Sequence, residues 1–432
     1  MQAVIMAGGK GTRLRSITND EIPKPMVQVC GKPILQWQVE CLKESGIDEI
    51  IMIIGHLGEK ITDFFQDGKN FGISITYYQE KEPLGTAGAL GNIKERLQST
   101  FVLAFGDVIF DIDVKRMLQF HKQNDSGITL FVHPNSHPYD SDLILSNKEN
   151  RVNGFIKKNE KRGHSYKNLV NAGFYILDKS VCNDIKPDTK TDLEKDLIAT
   201  RINVAADVYA YRSTEYIKDV GTPERIQDVE AALKYGIVKK RNLKNKQKCI
   251  FVDRDGTLNV YKGLLFNVDD MELEKTVPEA VKLINKSDYL VMVVTNQPVV
   301  ARNMCSIDDI EKIHERMETL LGEEGAYLDD IVFCPHHPDK GYPEENPVYK
   351  VECNCRKPKT GMIMELAEKY NINLSNSWMI GDTTQDILTG INAGTKTALV
   401  KTGLAGTDGK FDVVADITGE NLLDVIEKII KH

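Results

Sequence analysis

Four apolar residues, Cys249-Ile250-Phe251-Val252, run straight into Asp253-Arg254-Asp255-Gly256-Thr257 near the middle of the chain. A buried strand that ends in two carboxylates is an expensive arrangement, because charge taken out of water must be paired, solvated or put to use. It constrains the fold strongly: strands of open α/β sheets deliver their functional groups beyond their carboxyl ends. Gly256 supplies the backbone freedom for the turn that follows. The chemistry that suits two such carboxylates is magnesium-assisted phosphoryl transfer, in which one Asp attacks phosphorus and the other handles the proton.

The rest of the chain alternates strands and helices in the same style. In the first half, apolar runs at Ile50 to Ile54, Ile73 to Tyr77, Phe101 to Phe105 and Ile128 to Val132 are separated by helical stretches such as Ile34 to Glu44. In the second, strands are expected around Ile250, Val291, Ile331, Met379 and Ala398. Such alternation predicts an α/β protein of two Rossmann-like, doubly wound parallel domains, without a left-handed β-helix tail. The boundary lies where a helical pattern from Glu224 to Ala232 gives way to Lys239–Lys248, six basic residues in ten positions with no acid. That run reads as an exposed linker. The expected domains are therefore 1–236 and 249–432, joined by a basic linker over 237–248.

A chain of 432 residues is long for one core and comfortable for two. Its net charge of −8, with no basic stripe interleaved with aromatics, argues against nucleic-acid binding. No apolar run reaches membrane-spanning length and the first strand starts at once, so no signal peptide, no membrane partner and a cytoplasmic location are expected. The sequence is compatible with a homo-oligomer. Trp37, Trp378 and the scattered Cys30, Cys41, Cys182, Cys249 and Cys305 read as structural.

Downstream of Asp253 come Thr295-Asn296-Gln297 at a strand end, Arg356-Lys357 before Pro358, and Gly381-Asp382 at another strand end, with Asp386 beyond. In this order they resemble the haloacid-dehalogenase superfamily of phosphatases. The resemblance implies that Asp253 is the nucleophile and Asp255 the general acid and base, with both, together with Asp382, at the Mg²⁺ site. It makes Thr295 and Asn296 phosphate ligands and Arg356 and Lys357 charge clamps. Asp386 reads equally as support for the metal or as a helix-face acid. Cys334-Pro335-His336 and Cys353-Asn354-Cys355 flank a segment rich in Pro, Gly and charge. Three thiols and an imidazole around such a loop fit a closed, tetrahedral structural Zn²⁺ site of Cys334, His336, Cys353 and Cys355, with His337 a bystander. This pattern looks like the heptose-bisphosphate phosphatases and the related histidinol-phosphate phosphatases. It departs where that family has Ser-Gly-Ile-Ala-Arg-Gly, here Pro298-Val299-Val300-Ala301-Arg302-Asn303.

The amino-terminal half carries a second signature. Ala3-Val4-Ile5-Met6 leads into Ala7-Gly8-Gly9-Lys10-Gly11-Thr12-Arg13-Leu14, and Pro23-Lys24-Pro25-Met26 follows. Glycines let backbone amides close around a triphosphate, while Arg13 and Lys24 offer charge at the reacting centre. The spacing matches neither a P-loop nor a dinucleotide fingerprint. The combination resembles the sugar-1-phosphate nucleotidylyltransferases, and Glu80 with Pro83-Leu84-Gly85-Thr86-Ala87-Gly88 is similar to the base-recognition loop of their guanylyltransferase branch. The resemblance implies nucleotide contacts from Gly8, Gly9, Gly11, Thr12, Glu80 and Gly85, and a Mg²⁺ held by Asp107 and Asp219. It also implies sugar or sugar-phosphate contacts from Lys158 and from Asn171, whose amide is free to reach ring hydroxyls. Where that family commonly reads Phe-x-Glu-Lys-Pro, this chain has Phe155-Ile156-Lys157-Lys158-Asn159, so the acid that usually accepts sugar hydroxyls is missing.

Together the resemblances imply one pathway. A phosphatase acting on heptose 1,7-bisphosphate yields heptose 1-phosphate, which a guanylyltransferase joins to GTP, the last steps to GDP-D-glycero-α-D-manno-heptose. The alternatives are a mannose-1-phosphate guanylyltransferase joined to a phosphatase of other specificity, a fold in which one half is a regulatory module, and a zinc-stabilised interaction protein without catalysis.

Overall fold

The computed structural model describes residues 1–9, 14–204, 207–339 and 344–431. The chain divides into two compact units, described separately below. The first comprises Met1–His133, Ile144–Phe155 and Asn171–Asn242; the second comprises Pro134–Leu143, Ile156–Val170 and Leu243–His432.

In the first unit, strands β1 (Gln2–Met6), β2 (Glu49–Ile54), β3 (Ser74–Gln79) and β4 (Thr100–Phe105) lie in the order β3-β2-β1-β4, all parallel. The central strands β1, β2 and β4 are buried along most of their length and read as continuous hydrophobic runs, while β3, at the sheet edge, is Ser-Ile-Thr-Tyr-Tyr-Gln and mostly half-buried. Helix α1 (Ile34–Glu44) buries Ile34, Leu35, Val39 and Leu42, and α2 (Gly58–Phe65) buries Ile61 and Phe65. The parallel sheet expected from the sequence ends at β4. A nine-stranded mixed sheet results, because the long strand Val170–Asp178 pairs antiparallel with β4. The reason lies in the connections: from Ile128 to Asp178 the chain passes through four strands with one 3-10 turn between them. Parallel neighbours need a crossover of a dozen or more residues, usually helical, so these strands pair mainly with antiparallel partners.

The second unit holds a six-stranded, wholly parallel sheet. Numbering on from β4, β5 (Lys248–Val252) is central, flanked by β6 (Tyr289–Asn296) and β7 (Asp330–Cys334) on one side and by β8 (Trp378–Gly381), β9 (Lys396–Val400) and β10 (Ile417–Gly419) on the other. The chain thus reverses its winding direction around β5, creating the crevice in which ligands of such sheets bind. Helix α3 (Ile307–Glu323) begins with a capping box between Ser306 and Asp309. It also receives the segment Ile156–Val170 of the same unit, through the Thr319 hydroxyl on the Tyr166 backbone and Arg316 on the His164 carbonyl.

The basic run expected to be an exposed linker does expose Lys239, Lys240, Lys244 and Lys246, and the division between the units falls within it, but the residues between those lysines are anchored. Ile237–Lys240 is a helical turn, and Arg241, Asn242, Leu243 and Gln247 are buried. Asn242 donates to Asp111 within the first unit, while Leu243 and Asn245 offer carbonyls to Asn371 within the second. Lysine and arginine stems can lie along apolar surface while their charges stay wet, so a charge run does not exclude burial of the residues between its charges. Among the described residues no helix is long and apolar enough to cross a membrane.

Candidate active sites

At the carboxyl ends of β1, β3 and β4, the first unit opens a cavity of about 450 Å³, whose walls include Gly8, Lys24, Glu80, Gly85, Thr86 and Asp107. Lys24, held between two prolines and buried, points its ammonium at Asp107 Oδ2, 2.5 Å away. The turn that presents Asp107 is pinned from below: Gln38 Nε2 donates to the carbonyls of Phe105 at 2.8 Å and Val108 at 2.6 Å. Asp219 is on the neighbouring backbone, since it pairs with Val108 and the Val220 amide donates to the Asp107 carbonyl. Its carboxylate is gripped by Arg225 NH1 at 2.7 and 2.5 Å. The backbones of the two acids predicted to hold Mg²⁺ are therefore neighbours, and each carboxylate is paired with a cation.

Glu80 closes the other side. It accepts from the Leu84 amide at 3.2 Å, and a Cβ on Gly8 would fall 2.6 Å from its Oε2, so Gly8 must be bare for the two to meet. Burial raises the Glu80 pKa above the ordinary carboxylate value. Gly85 has φ +81°, and a side chain there would strike the Thr191 carbonyl. Gly11, Thr12 and Arg13 lie outside the described residues, and Gly9 lines the cavity. Asn171 differs from expectation: its amide is not free. Nδ2 donates to the Tyr175 hydroxyl and to Glu194 Oε1, both at 2.6 Å, and Oδ1 accepts from the Gly173 amide. Lys158 lies in the second unit, its backbone amide on Asp142.

The crevice of the second unit gathers acids more tightly. Asp253, Asp382 and Asp386 are all buried and offer oxygens within 4.8 Å of one another. Lys357 reaches between them, 2.6 Å from Asp253 Oδ1 and bonded also to Asp386. Burial, offset by Lys357 but reinforced by Asp386 and Asp255, pushes Asp253 up to about 6. Burial and the charge of Asp253 push Asp382 up to about 8. Burial works against the charge of Lys357, yet Asp253 and Asp386 carry its pKa above the usual value. Asp386, weighed above between two readings, belongs to this cluster and also caps its own helix through Thr383.

A divalent cation fits here. Asp382 Oδ1 is buried without a hydrogen-bond partner, while Oδ2 accepts from the Leu404 amide at 2.7 Å. Gly256 and Gly403, both at positive φ, wrap the same carboxylate so closely that a Cβ on either would overlap it. Three crowded carboxylates against one ammonium leave a site short of positive charge, and hard oxygen ligands are what Mg²⁺ takes. Asn296 brackets the Lys357 backbone, donating to its carbonyl and accepting from its amide. Thr295, at the end of β6, accepts from Gln297 at 2.9 Å. Arg356 donates to the His336 carbonyl.

The Asp255 carboxylate is not part of that cluster. Arg254, fully buried, donates to both its oxygens at 2.9 Å, and Gln297 Nε2 donates at 2.8 Å. Arg254 NH1 lies 3.3 Å from His314 Nε2. Burial, then the guanidinium charge, hold His314 well below its ordinary pKa, so it accepts as a neutral ring. The sequence reading missed Arg254, Gln297 and His314 in this role; the first two stood inside quoted motifs, but His314 is 60 residues away in sequence and gave no signal.

Cys334, His336, Cys353 and Cys355 converge as expected. Cys334 Sγ is 3.1 Å from Cys355 Sγ and 3.6 Å from Cys353 Sγ, and His336 Nδ1 is 3.3 Å from Cys355 Sγ. A tetrahedron of metal–sulfur bonds of about 2.3 Å has edges a little under about 4 Å, so a zinc ion fits with small adjustments. The thiol of Cys334 and then the His336 ring, acting against burial, lower Cys355 to about 5, giving the thiolate that zinc binds. His337 stays outside the cluster. At the departure from the family motif, Asn303 has φ +57°, a conformation that asparagine tolerates in place of glycine.

The nucleotidyl transferase family model matches residues 2–236, more than half of the chain. The chain belongs to the nucleotidyl transferase family. In this nucleotidyl transferase a HAD-hydrolase-like model also matches residues 354–424. It is 38% identical over 182 residues to the D-glycero-beta-D-manno-heptose-1,7-bisphosphate 7-phosphatase of Haemophilus ducreyi, covering 42% of this chain and 97% of that one. It is 34% identical over 224 residues to the D-glycero-alpha-D-manno-heptose 1-phosphate guanylyltransferase of Campylobacter jejuni, covering 52% and 96%. It is 30% identical over 239 residues to the mannose-1-phosphate guanylyltransferase of Mycobacterium tuberculosis, covering 55% and 66%. The chain is a bifunctional enzyme, a nucleotidyltransferase and a phosphatase in one polypeptide.

Proposed function

We propose that the enzyme removes the 7-phosphate of a heptose 1,7-bisphosphate and then transfers a guanylyl group from GTP to the resulting heptose 1-phosphate, releasing pyrophosphate. The observation that carries this reading is the pairing of relatives. A heptose-bisphosphate phosphatase and a heptose 1-phosphate guanylyltransferase are matched by one chain, each over nearly its whole length. The product of the first activity is the substrate of the second, so hydrolysis comes first.

Hydrolysis would run through a phosphoaspartyl intermediate. An oxygen of Asp253 attacks the 7-phosphorus, the bond to O7 breaks, and Asp255 gives O7 its proton. Asp255 then takes a proton from the water that attacks the same phosphorus and frees Asp253 and phosphate. Lys357, Arg356, Thr295 and Asn296 would hold the phosphate oxygens. Asp253, Asp382 and Asp386 would hold Mg²⁺, which when bound neutralises charge on the phosphoryl group. Arg254 and Gln297 keep the Asp255 carboxylate in one orientation. The zinc cluster would shape the loop beside Arg356.

In the transferase an oxygen of the sugar 1-phosphate attacks the α-phosphorus of GTP and pyrophosphate leaves. Lys24 and Arg13 would stabilise the negative charge, with Gly8, Gly9, Gly11 and Thr12 around the triphosphate. Glu80 would accept the N1 and N2 hydrogens of guanine, and Gly85 would admit the base. Asp107 and Asp219 would hold the metal.

The two relatives' names carry opposite anomers, beta for the phosphatase and alpha for the transferase. Cleavage at C7 leaves C1 untouched, so one chain acting in sequence needs a single anomer, and the transferase relative indicates α. The deciding experiment supplies each anomer of the bisphosphate with Mg²⁺ and each nucleoside triphosphate and identifies the nucleotide sugar by mass. GDP-heptose from the α anomer is expected; phosphate release without any nucleotide sugar removes the transferase half. The mannose-1-phosphate guanylyltransferase relative supports mannose 1-phosphate as a second acceptor, which the same assay tests.

A further inference from the structure

A group that first gives a proton to O7 and then takes one from water has to serve two different oxygens without losing its place. The surroundings of Asp255 meet that demand. Arg254 turns one edge of its guanidinium to the carboxylate: Nε donates to Oδ1 at 3.1 Å, and NH2 donates to both oxygens at 2.9 Å. Gln297 Nε2 donates to Oδ2 at 2.8 Å and to the Thr295 hydroxyl at 2.9 Å. The same glutamine accepts from Arg254 NH2 at 2.9 Å, and its backbone amide is tied to the Cys334 carbonyl at 2.7 Å.

The far end of the guanidinium, NH1, faces His314 Nε2 at 3.3 Å. A guanidinium has only hydrogens to give, so this ring nitrogen is the acceptor. Burial, then the Arg254 charge, keep the ring neutral, as that role requires. His314 is itself held in place, buried on α3 with the Phe333 ring packed edge-on against it, centres 5.2 Å apart. Arg254 is fully buried, so its planar fork is gripped from three elements: Asp255 follows β5, Gln297 follows β6 and His314 belongs to α3. Without the histidine the fork can still pair with Asp255, but one of the two partners that set its plane is gone.

We propose that His314 is a positioning residue for the phosphatase, fixing the Arg254 guanidinium so that the Asp255 carboxylate stays in one place for both of its proton transfers. The inference rests on the phosphatase reading above. In the first transfer Asp255 gives its proton to O7 as the bond from O7 to phosphorus breaks and Asp253 takes the phosphoryl group. In the second it takes a proton from water as the water oxygen bonds to phosphorus and Asp253 is released. A misplaced carboxylate slows the second step for every substrate, but the first only where the leaving oxygen needs a proton.

The test compares two leaving groups on the whole chain with Mg²⁺: heptose 1,7-bisphosphate, whose O7 leaves as an alcohol, and p-nitrophenyl phosphate, whose nitrophenolate leaves without a proton. His314→Phe keeps a ring and removes the acceptor, Arg254→Lys keeps the charge and removes the fork, and His314→Gln keeps an acceptor. For the first two, kcat/KM is expected to fall about tenfold or more with the bisphosphate and much less with p-nitrophenyl phosphate. Rapid mixing with p-nitrophenyl phosphate should then show a burst of nitrophenolate, because water attacks the phosphoenzyme slowly. His314→Gln should stay close to wild type in both measurements. Either of the first two variants suffices, should the other not fold. A role in folding alone would lower both substrates by the same factor and give no burst; that outcome, or unchanged kinetics, overturns the inference and leaves the phosphatase reading standing. If wild type frees no phosphate from the bisphosphate, both fall.

Discussion

The two catalytic units solve the problem of concentrated charge in opposite ways. In the nucleotidyltransferase Asp107 and Asp219 each have their own cation, Lys24 and Arg225. In the phosphatase three buried acids share Lys357, and two of them are pushed up to about 6 and about 8. In the first site each of these two acids already has a cationic partner; in the second, three acids share one ammonium. Placing charge at strand ends is therefore common to both, but only the phosphatase does so at the expense of its own stability.

The sharpest way to break this comparison is Asp253→Asn. It should lower phosphate release by about 10⁴-fold or more, leaving pyrophosphate formation from GTP and heptose 1-phosphate within about twofold. Parallel loss of both activities would show that the units do not work independently. Next in size is Asp107→Asn, expected to cost about 10² to 10³-fold in pyrophosphate formation, because Asp219 and Lys24 remain. Phosphate release, assayed alongside, should not change.

Removing zinc should act through structure. Cys355→Ser, or a strong zinc chelator, is expected to lower the melting of the second unit by about 5 °C or more and to reduce phosphate release, with the first unit's transition fixed. Calorimetry with both assays decides it, and equal loss in both units would contradict a local role for the cluster. The smallest effect belongs to Glu80. Its pKa is raised by burial, and guanine's hydrogens need the ionised form. Lowering the pH protonates it, at a higher pH than an ordinary carboxylate, so the KM for GTP should rise as the solution is acidified. Glu80→Gln should have a higher KM throughout and lose that pH dependence; a wild type with a flat profile would remove Glu80 from base recognition.

Much of this was legible in the chain itself. Helix Ile34–Glu44 and the strands before Gly106 and Asp253 announce themselves because continuous apolar runs and period-3.6 stripes are local properties. The thiol cluster and the acids at 107, 253 and 382 were legible for the same reason, since each stands in a compact motif. What depends on distant partners was not. Val170–Asp178 joins its sheet antiparallel because of how it is connected, not because of its composition. His314 matters through Arg254, which is not adjacent to it in sequence. The basic run at 239–248 showed its exposed lysines but not the burial of Arg241, Asn242, Leu243 and Gln247 between them, because charge patterns report the tips of side chains.

Gly256 and Gly403 carry a further consequence. The carboxylate of Asp382 is moulded by two stretches of main chain rather than by side chains, so its immediate wall has no substituent that mutation can trim or swap. Libraries aimed at new metal preference or new phosphate esters should find these two positions intolerant of every replacement. Variation there must come instead from the loop that carries Gly403, by changing its length and path.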